Sequence, residues 1–598
     1  MSEQELKLHV PAAAGAAVER ELKQAGAERV PLHAMYFDTP ERELARARIA
    51  IRLRREGRNW VQTLKTPGAN AITRVEMNHP RPGPILDLSV YAGTEVHDAL
   101  AALKGELELR YETDVIRLVR KTRTRQGTVE IAYDHGVLRA GDLELPISEV
   151  EFELMSGRPA AIFATARAWL PRHGLILDPR SKSERGDSLA QLAHTLARPG
   201  LAEDARKAAI AEFWGPRLAK PIALSAGMTP PQGLAAVAGE CLNQIMRNAA
   251  VLAEVDTLDI YGAGQPEHVH QLRVGIRRLR SAWRLFRGWA ELPPDDAQNA
   301  LRDYFAAFGA NRDQDVLQES IIPALVKAGM PTFPIPESDT TPVAARETAA
   351  GKAFQGWLLD MLEWTLDVRP TPEAMESAVA ADADIGGDER ANGQLPRDSG
   401  DNGAMEDGGA DAGIKDKEAG HIVARNASTG SVDPRGAGRA NANGFAPGTS
   451  AQALEIIHPT IIPLTPREPR DLQTLLARRL RKWHQQVLTE GQRFAELDIP
   501  SRHDLRKRAK RLRYGLSFAE SLLPANKMRD YRRRLAAVQD VLGEMNDLSV
   551  AHDLYRQWSS RHPQAWFALG WISARQEKLT GEAQRAFAKL GAAKRFWK

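Results

Sequence analysis

The hydrophobic period changes once along this chain, near Pro199, and that change requires two unlike folds in one molecule. Before it, apolar and polar residues alternate in short segments: EQELKLHV, IAIRLRRE, NWVQTLKT, RVEMNH, DVIRLVRKT, TVEIAYD, VLRAGD and SEVEFEL. Alternation is the period of a half-buried strand. Turn chemistry at Glu56-Gly57, Pro67-Gly68 and Asp134-His135-Gly136 separates several of these segments, so antiparallel hairpins closing as a barrel or sandwich are expected. Beyond Pro199 the apolar spacing becomes three to four, through LAAVAGECLNQIMRNAAVL, HQLRVGIRRLRSAWRLFRGW, ALRDYFAAFGA, KAFQGWLLDMLEWTL and LQTLLARRLRKWHQQVLTEG. This half is predicted to be almost entirely α-helical.

At 598 residues the chain exceeds what one core fills, and two or three domains are expected. The formal net charge is only +4, but Asp and Gly concentrate between about Thr371 and Ser450, which leaves the remainder more basic and suited to anionic partners. Few large apolar residues occur between Pro370 and about Gln452, so this stretch is expected to be a disordered insertion. Cys241 is the only cysteine, which excludes an intrachain disulfide or a thiolate metal cluster and suits a reducing compartment. The N-terminus lacks a signal-peptide layout, and no span of about 20 apolar residues is present. A soluble cytoplasmic protein is expected.

Strand parity exposes the chemistry of the first half. Residues two apart on a strand project the same way, roughly 6–7 Å apart, so Glu3, Glu5 and Lys7 share one face while Gln4, Leu6 and Leu8 share the other. Two carboxylates and an ammonium aimed together suggest a divalent cation beside an anion. The segment SEVEFEL repeats the pattern with Glu149, Glu151 and Glu153. Arg52 and Arg54 also share a face, as do Arg74 and Glu76. The basic candidates are Lys7, Arg52, Arg54, Lys65, Arg74, Arg117 and Lys182; the acidic ones are Glu3, Glu5, Glu76, Asp134, Glu149, Glu151 and Glu153. Phosphoryl transfer needs both kinds, cations for the phosphoryl oxygens and carboxylates for the bridging metal. The bland alternative is cross-strand salt bridges on an exposed sheet, which explains one pair better than so many positions on separate strands.

The helical half repeats itself. VHQLRVGIRRLRSAWRLF followed by AFGANRDQDVL matches RHDLRKRAKRLRYGLSF followed by VLGEMNDLSVA. Aligning His270 with His503 pairs Arg273 with Arg506, Arg277 with Lys510, Arg278 with Arg511 and Arg280 with Arg513; downstream, Gly309, Asp313 and Val316 correspond to Gly543, Asp547 and Val550. In the first copy His270, Arg273, Arg277, Arg280, Arg284 and Arg287 form one helical stripe bordering the apolar stripe of Leu272, Ile276, Leu279, Trp283 and Phe286. In the second, His503, Arg506, Lys510 and Arg513 lie beside Leu505, Ala509, Leu512 and Leu516. Two such helices brought together would line an extended anionic polymer; a solvated basic face is the alternative. The Asp residues of RDQDV and MNDLSV are either orienting acids or helix-end caps. His270 and His503 either hydrogen-bond within a helix pair or add charge to a phosphate site.

These residues closely resemble the CYTH family, the triphosphate tunnel metalloenzymes. Its ExExK signature is met by Glu3, Glu5 and Lys7. Further matches are YFDTP at Tyr36 to Pro40, LRxR at Arg52 and Arg54, TLK at Lys65, RxE at Arg74 and Glu76, the acidic strand Glu149, Glu151 and Glu153, and SKSERG around Lys182 and Arg185. Asn78 departs from the fuller RxExE pattern. The helical half resembles a CHAD domain through HQLRVGIRRLR and HDLRKRAKRLR. The resemblance implies an eight-stranded antiparallel tunnel over residues 1–198 and a helical bundle with a pseudo-two-fold repeat, its copies at 220–370 and 453–590 and the insertion at 371–452. It further implies that Lys7, Arg52, Arg54, Lys65, Arg74, Arg117 and Lys182 hold phosphate oxygens. Glu3, Glu5, Glu149, Glu151 and Glu153 would hold Mg²⁺ or Mn²⁺ and activate a water, with Glu3, Glu5 and Lys7 in the catalytic role. His270, Arg273, Arg277, Arg280, His503, Arg506, Lys510 and Arg513 would bind polyphosphate. The expected activity is hydrolysis of inorganic triphosphate to pyrophosphate and phosphate. The alternatives are an organic triphosphate hydrolase or cyclase acting on thiamine triphosphate or ATP, or a non-catalytic polyphosphate-binding protein. Neither a membrane nor a nucleic-acid partner is expected.

Overall fold

Alternating segments that carry charge on one face and apolar residues on the other are satisfied when the sheet closes on itself. The computed structural model describes residues 2–597 apart from 69, 254, 256–265, 310–316, 332, 334–342 and 372–470. In it β1 (Ser2–His9), β2 (Glu28–Asp38), β3 (Ala50–Glu56), β4 (Asn59–Pro67), β5 (Thr73–Arg81), β6 (Glu108–Arg123), β7 (Gly127–Ala140) and β8 (Leu143–Gly157) form an antiparallel barrel in the order β5-β4-β3-β2-β6-β7-β8-β1. Pairing of β1 with β5 closes it, through Ser2 with Val75, Glu3 with Arg74 and Gln4 with Thr73. A two-residue β9 (Ile176–Leu177) adds to the far end of β1. The expected insertion lies outside the described residues except for Thr371, as do Asp313 and Val316 of the repeat.

Two details differ from the sequence reading. β2 escaped it because Pro31 and His33 interrupt the apolar run, although the strand pairs along its length with β6. Asp134-His135-Gly136 is not a turn but lies within β7, which also takes in Val137 to Ala140 of the segment VLRAGD and leaves Gly141-Asp142 as the turn into β8. Gly136 is required there by close approach: a Cβ would lie 2.1 Å from the Asp114 carbonyl oxygen of β6.

The outer barrel face is apolar and covered. Leu8, Val150 and Phe152 are fully buried, packed with α1 (Ala12–Gln24) and α2 (Ala160–His173), each such side chain contributing roughly 1.5–3 kcal/mol. α3 (Lys182–Leu196) starts at a Ser181 cap that accepts from the Glu184 N–H. Gly186 on it permits contact with the Tyr111 ring, which would lie 2.2 Å from a Cβ. That contact brings the first turn of α3 to the barrel.

α4 (Glu203–Phe213) leads into the helical half. There α5 (Pro230–Leu252) opens with a Thr229–Gln232 capping box and a Pro at its start. It pairs with α6 (Pro266–Phe286), and α7 (Asp295–Ala307) and α8 (Lys352–Leu366) follow. α9 (Leu472–Gln492) and α10 (Ile499–Phe518) repeat the α5–α6 hairpin, and α11 (Ala525–Trp558) and α12 (Ala565–Gly591) complete the bundle. One hydrophobic cluster runs from the outer barrel face into this bundle. No described helix is long and apolar enough to cross a membrane.

Candidate functional site

On β1, β3, β4, β5, β7 and β8 charged side chains turn into the barrel, while β2 and much of β6 face it with Leu32, Ala34, Tyr36, Tyr111 and Val115. The cavity is lined by Glu3, Glu5, Lys7, Arg52, Arg54, Lys65, Arg74, Glu76, Arg117, Asp134, Glu151, Glu153 and Lys182. Register sets them opposite one another: on β1 and β8, Glu5 faces Glu153 and Lys7 faces Glu151.

The charges divide into two unlike groups. Around Lys182 they are mutually neutralised. Its ammonium lies 2.7 Å from Asp134, 2.5 Å from Glu149 and 2.9 Å from Glu151. Arg117 forms a two-pronged pair with Asp134 at 2.7 and 2.8 Å and reaches Glu151 at 2.6 Å. Glu149 is enclosed further by Lys7 at 3.1 Å and Arg185 at 3.2 Å, and Lys7 also donates to the Arg180 carbonyl. Burial by itself would raise the Glu151 carboxyl, yet Lys182 and Arg117 hold it well below the usual carboxylate range. Burial likewise works against charge on Lys182, but Asp134, Glu149 and Glu151 hold its ammonium well above the usual lysine value.

Around Glu3 the balance is different. Lys65 pairs with Glu76 and lies 3.8 Å from Glu3; Arg52 is 3.7 Å from Glu76, and Arg74 is 3.9 Å from Glu5. Burial, and then the hydrogen bond to the Glu76 carboxylate, push Glu3 up to about 8. Glu76 itself is lowered to about 2, since Lys65 and Arg52 outweigh its burial. Burial followed by Glu130 and Glu5 pushes Glu153 up to about 7. Glu3 and Glu153 are thus crowded by other carboxylates and short of positive charge, which favours their protonated forms, whereas Glu76 is held ionised. Glu130, which lines the cavity, was missed in the sequence although it shares strand parity with Asp134. Asn78, where the resemblance expects an acid, accepts a hydrogen bond from Thr63 at 2.7 Å.

In the bundle, α6 and α10 pack together and bring the two basic stripes side by side. Burial, then Arg506, Arg277 and Arg513, depress Lys510 to about 7. Tyr514 beside them is lowered despite its burial by Arg277 and Arg513. Arg273 lies over the Phe305 ring at 4.3 Å. Arg511 is depressed to about 10 by burial and by Arg284, Arg508 and Arg280.

A sequence model described as the CYTH domain matches residues 1–186, and one described as the CHAD domain matches residues 236–392 and 448–556. An N-terminal CYTH domain is joined to a C-terminal CHAD domain. An inorganic triphosphatase of Haemophilus influenzae is 31% identical to the chain over 158 residues, which is 25% of this chain and 44% of that protein. The chain thus spans under half the length of that relative. Among solved structures, the CHAD domain of the plant Ricinus communis is 23% identical, covering 64% of this chain and 98% of its own, with a TM-score of 0.39. A Pyrococcus horikoshii protein is 14% identical, covering 30% and 98%, with a TM-score of 0.21.

Of the expected CYTH residues, the seven cations Lys7, Arg52, Arg54, Lys65, Arg74, Arg117 and Lys182 all line one cavity, with Glu3, Glu5, Glu151 and Glu153. Glu149 is only 3% exposed at its side chain and sits among Lys7, Lys182 and Arg185. Asp134, Glu149 and Glu151 bring one carboxylate oxygen each within 4.8 Å of one another, a spacing open to a divalent ion. In the CHAD half, Arg277, Arg506, Lys510 and Arg513 form one group, while Arg280 joins Arg284 and Arg511. His270 and His503 are half-buried on the same two helices. Arg278, the counterpart of Arg511 in the repeat, is buried and donates to Gln244 at 2.6 Å, so equivalent positions carry different duties.

Proposed function

We propose that the CYTH tunnel hydrolyses inorganic triphosphate to pyrophosphate and phosphate, and that the CHAD groove holds inorganic polyphosphate, in the cytoplasm. The observation carrying this reading is the convergence in one cavity of seven cations suited to phosphoryl oxygens with the carboxylates of Glu3, Glu5, Glu151 and Glu153. A buried phosphate chain needs such cations, and crowded carboxylates need a further positive charge. Glu3, Glu5 and Glu153 offer hard oxygen donors fitted to Mg²⁺ or Mn²⁺. Asp134, Glu149 and Glu151 have the spacing, but Lys182 already contacts all three, which favours the Glu3 group as the metal end. A divalent ion bound there supplies Lewis-acid polarisation of phosphoryl oxygens.

The chain's own residues account for the rest. Arg52, Arg54, Lys65 and Arg74 bind the non-bridging oxygens and orient the terminal phosphorus for attack by water, with Arg117, paired to Asp134 and Glu151, set behind them. The water oxygen bonds to that phosphorus, the bridging P–O bond breaks and its electron pair leaves with pyrophosphate; one water proton stays on the phosphate formed and the other is released to solvent. Lys182, locked among carboxylates, positions the wall behind the chain. Phosphate release from inorganic triphosphate, thiamine triphosphate and ATP with Mg²⁺ or Mn²⁺ tests the reading. Inorganic triphosphate is expected to be turned over fastest; preference for an organic substrate, or no turnover with either metal, rejects it. In the CHAD half, Arg273, Arg277, Arg506 and Lys510 changed together to Ala should weaken polyphosphate retention, and unchanged retention rejects the groove.

A further inference from the structure

The segment joining the two domains and the first CHAD helix supply part of the cavity's wall. Arg217 and Lys220, in the loop before α5, and Arg247 near the end of α5 line the same cavity of about 1340 Å³ as Arg52 and Lys65. Arg247 pairs through both guanidinium nitrogens with Glu184, which stands two residues from Lys182 on α3, about 3 Å along the helix axis. The loop is tied down through its backbone. The Arg217 N–H donates to Asn248 at 3.0 Å and Asn248 donates back to the Arg217 carbonyl at 3.0 Å. The Lys220 N–H donates to Glu240 at 2.7 Å. The Arg217 guanidinium is left 3.5 Å from that same carboxylate. Lys220 is lowered by burial and then by Arg217 and Arg247. Arg217 is lowered by burial and by Arg247 despite Glu240. The cluster therefore carries more positive charge than its carboxylates offset, at the edge of a cavity that already suits phosphate.

We propose that Arg217 and Lys220, from the segment that joins the two domains, and Arg247, from the first CHAD helix, form an outer subsite for phosphates of an inorganic polyphosphate chain that extend beyond the three held in the tunnel. The proposal rests on the tunnel as a triphosphate site. Amine acylation of the full chain, read by mass spectrometry, separates the two claims, with Lys65 reporting on the tunnel and exposed Lys220 on the outer subsite. Inorganic triphosphate should shield Lys65 and leave Lys220 reactive, whereas long-chain polyphosphate should shield both severalfold. Lys220 left equally reactive under long-chain polyphosphate, with Lys65 shielded, overturns the subsite alone. Lys65 unshielded by either ligand overturns the tunnel reading and the subsite with it. In the double variant Arg217→Gln/Lys220→Gln, the long-chain concentration that shields Lys65 should rise about tenfold, the order expected for lost charge-assisted contacts, and that for triphosphate should stay within about twofold. An equal shift for both ligands, or none, rejects the subsite.

Discussion

Lys65 and Lys182 share a cavity but should answer substitution in different ways. Lys182 is the common partner of three buried carboxylates; Lys182→Met leaves them short of charge and should cost about 3–5 kcal/mol in urea unfolding. Lys65 is 29% exposed at its side chain and shares Glu76 with Arg52, and a Gln there can still donate to that carboxylate, so Lys65→Gln should cost only about 1–2 kcal/mol while raising KM for triphosphate about tenfold. Equal stability losses would show that the two charge groups are not distinct in kind. Gly309 gives a second residue-level case. A Cβ there would lie 1.9 Å from an Arg273 guanidinium nitrogen, so Gly309→Ala should leave the melting temperature nearly unchanged yet weaken polyphosphate binding about threefold to tenfold. Unaltered affinity would remove Arg273 from the groove. At this scale the sequence was informative about which residues face the tunnel, because strand parity is strict. It was silent about which carboxylates are neutralised: Arg185 and Lys182 reach Glu149 from a helix that no local pattern connects to β8.

The paired helices α6 and α10 show what periodicity can and cannot convey. Stripe and apolar face were both readable at helical spacing, and the duplication suggested that the stripes meet. That Arg278 turns inward to Gln244 while Arg511 stays with the basic group depends on packing, to which spacing is blind. The crowding of like charges has a titration consequence. Lys510 falls to about 7 from the usual 10.5, so the folded chain binds fewer protons than the unfolded chain between those values. Its contribution to stability is therefore full above pH 10.5 and lost as pH falls through about 7. A polyanion reverses this by favouring the ammonium, with Asp547 the acid that acts in the same direction. Polyphosphate binding near neutral pH should take up protons and weaken as pH rises above 7. Calorimetry in two buffers of different ionisation enthalpy should give different heats; identical heats would exclude Lys510 as the acceptor. Among the strands, Gly136 carried a turn signal whose true cause was the approach of a neighbouring strand.

At the scale of the molecule, the barrel and bundle share apolar packing and a few polar ties. Gln355 of α8 accepts from the Leu177 N–H at 2.8 Å and donates to the Ala349 carbonyl at 2.7 Å, fully buried. It thereby holds β9, which in turn pairs with β1. Gln355→Ala should cost about 1–3 kcal/mol through groups left unsatisfied and should raise KM for triphosphate although it lies in the bundle. Wild-type kinetics in a destabilised variant would show that β9 does not set the tunnel wall. By comparison, the exposed pair of Arg167 with Asp360 should contribute under about 1 kcal/mol. The single change of hydrophobic period announced both architectures in the sequence, but not their common core, since outward-facing strand residues look alike whether a helix or another domain covers them.

The seam between β1 and β5 is the narrowest join in the barrel's wall, three residue pairs long, and Glu3 stands in the middle of it. The clasp and a proposed metal ligand are thus the same residue. Fraying at that end would widen the hoop and scatter the carboxylates, and an ion gripping Glu3 with Glu153 would pin that end of β1 to β8, steadying the stave on which the hoop closes, so that filling the tunnel and bracing its clasp become one event.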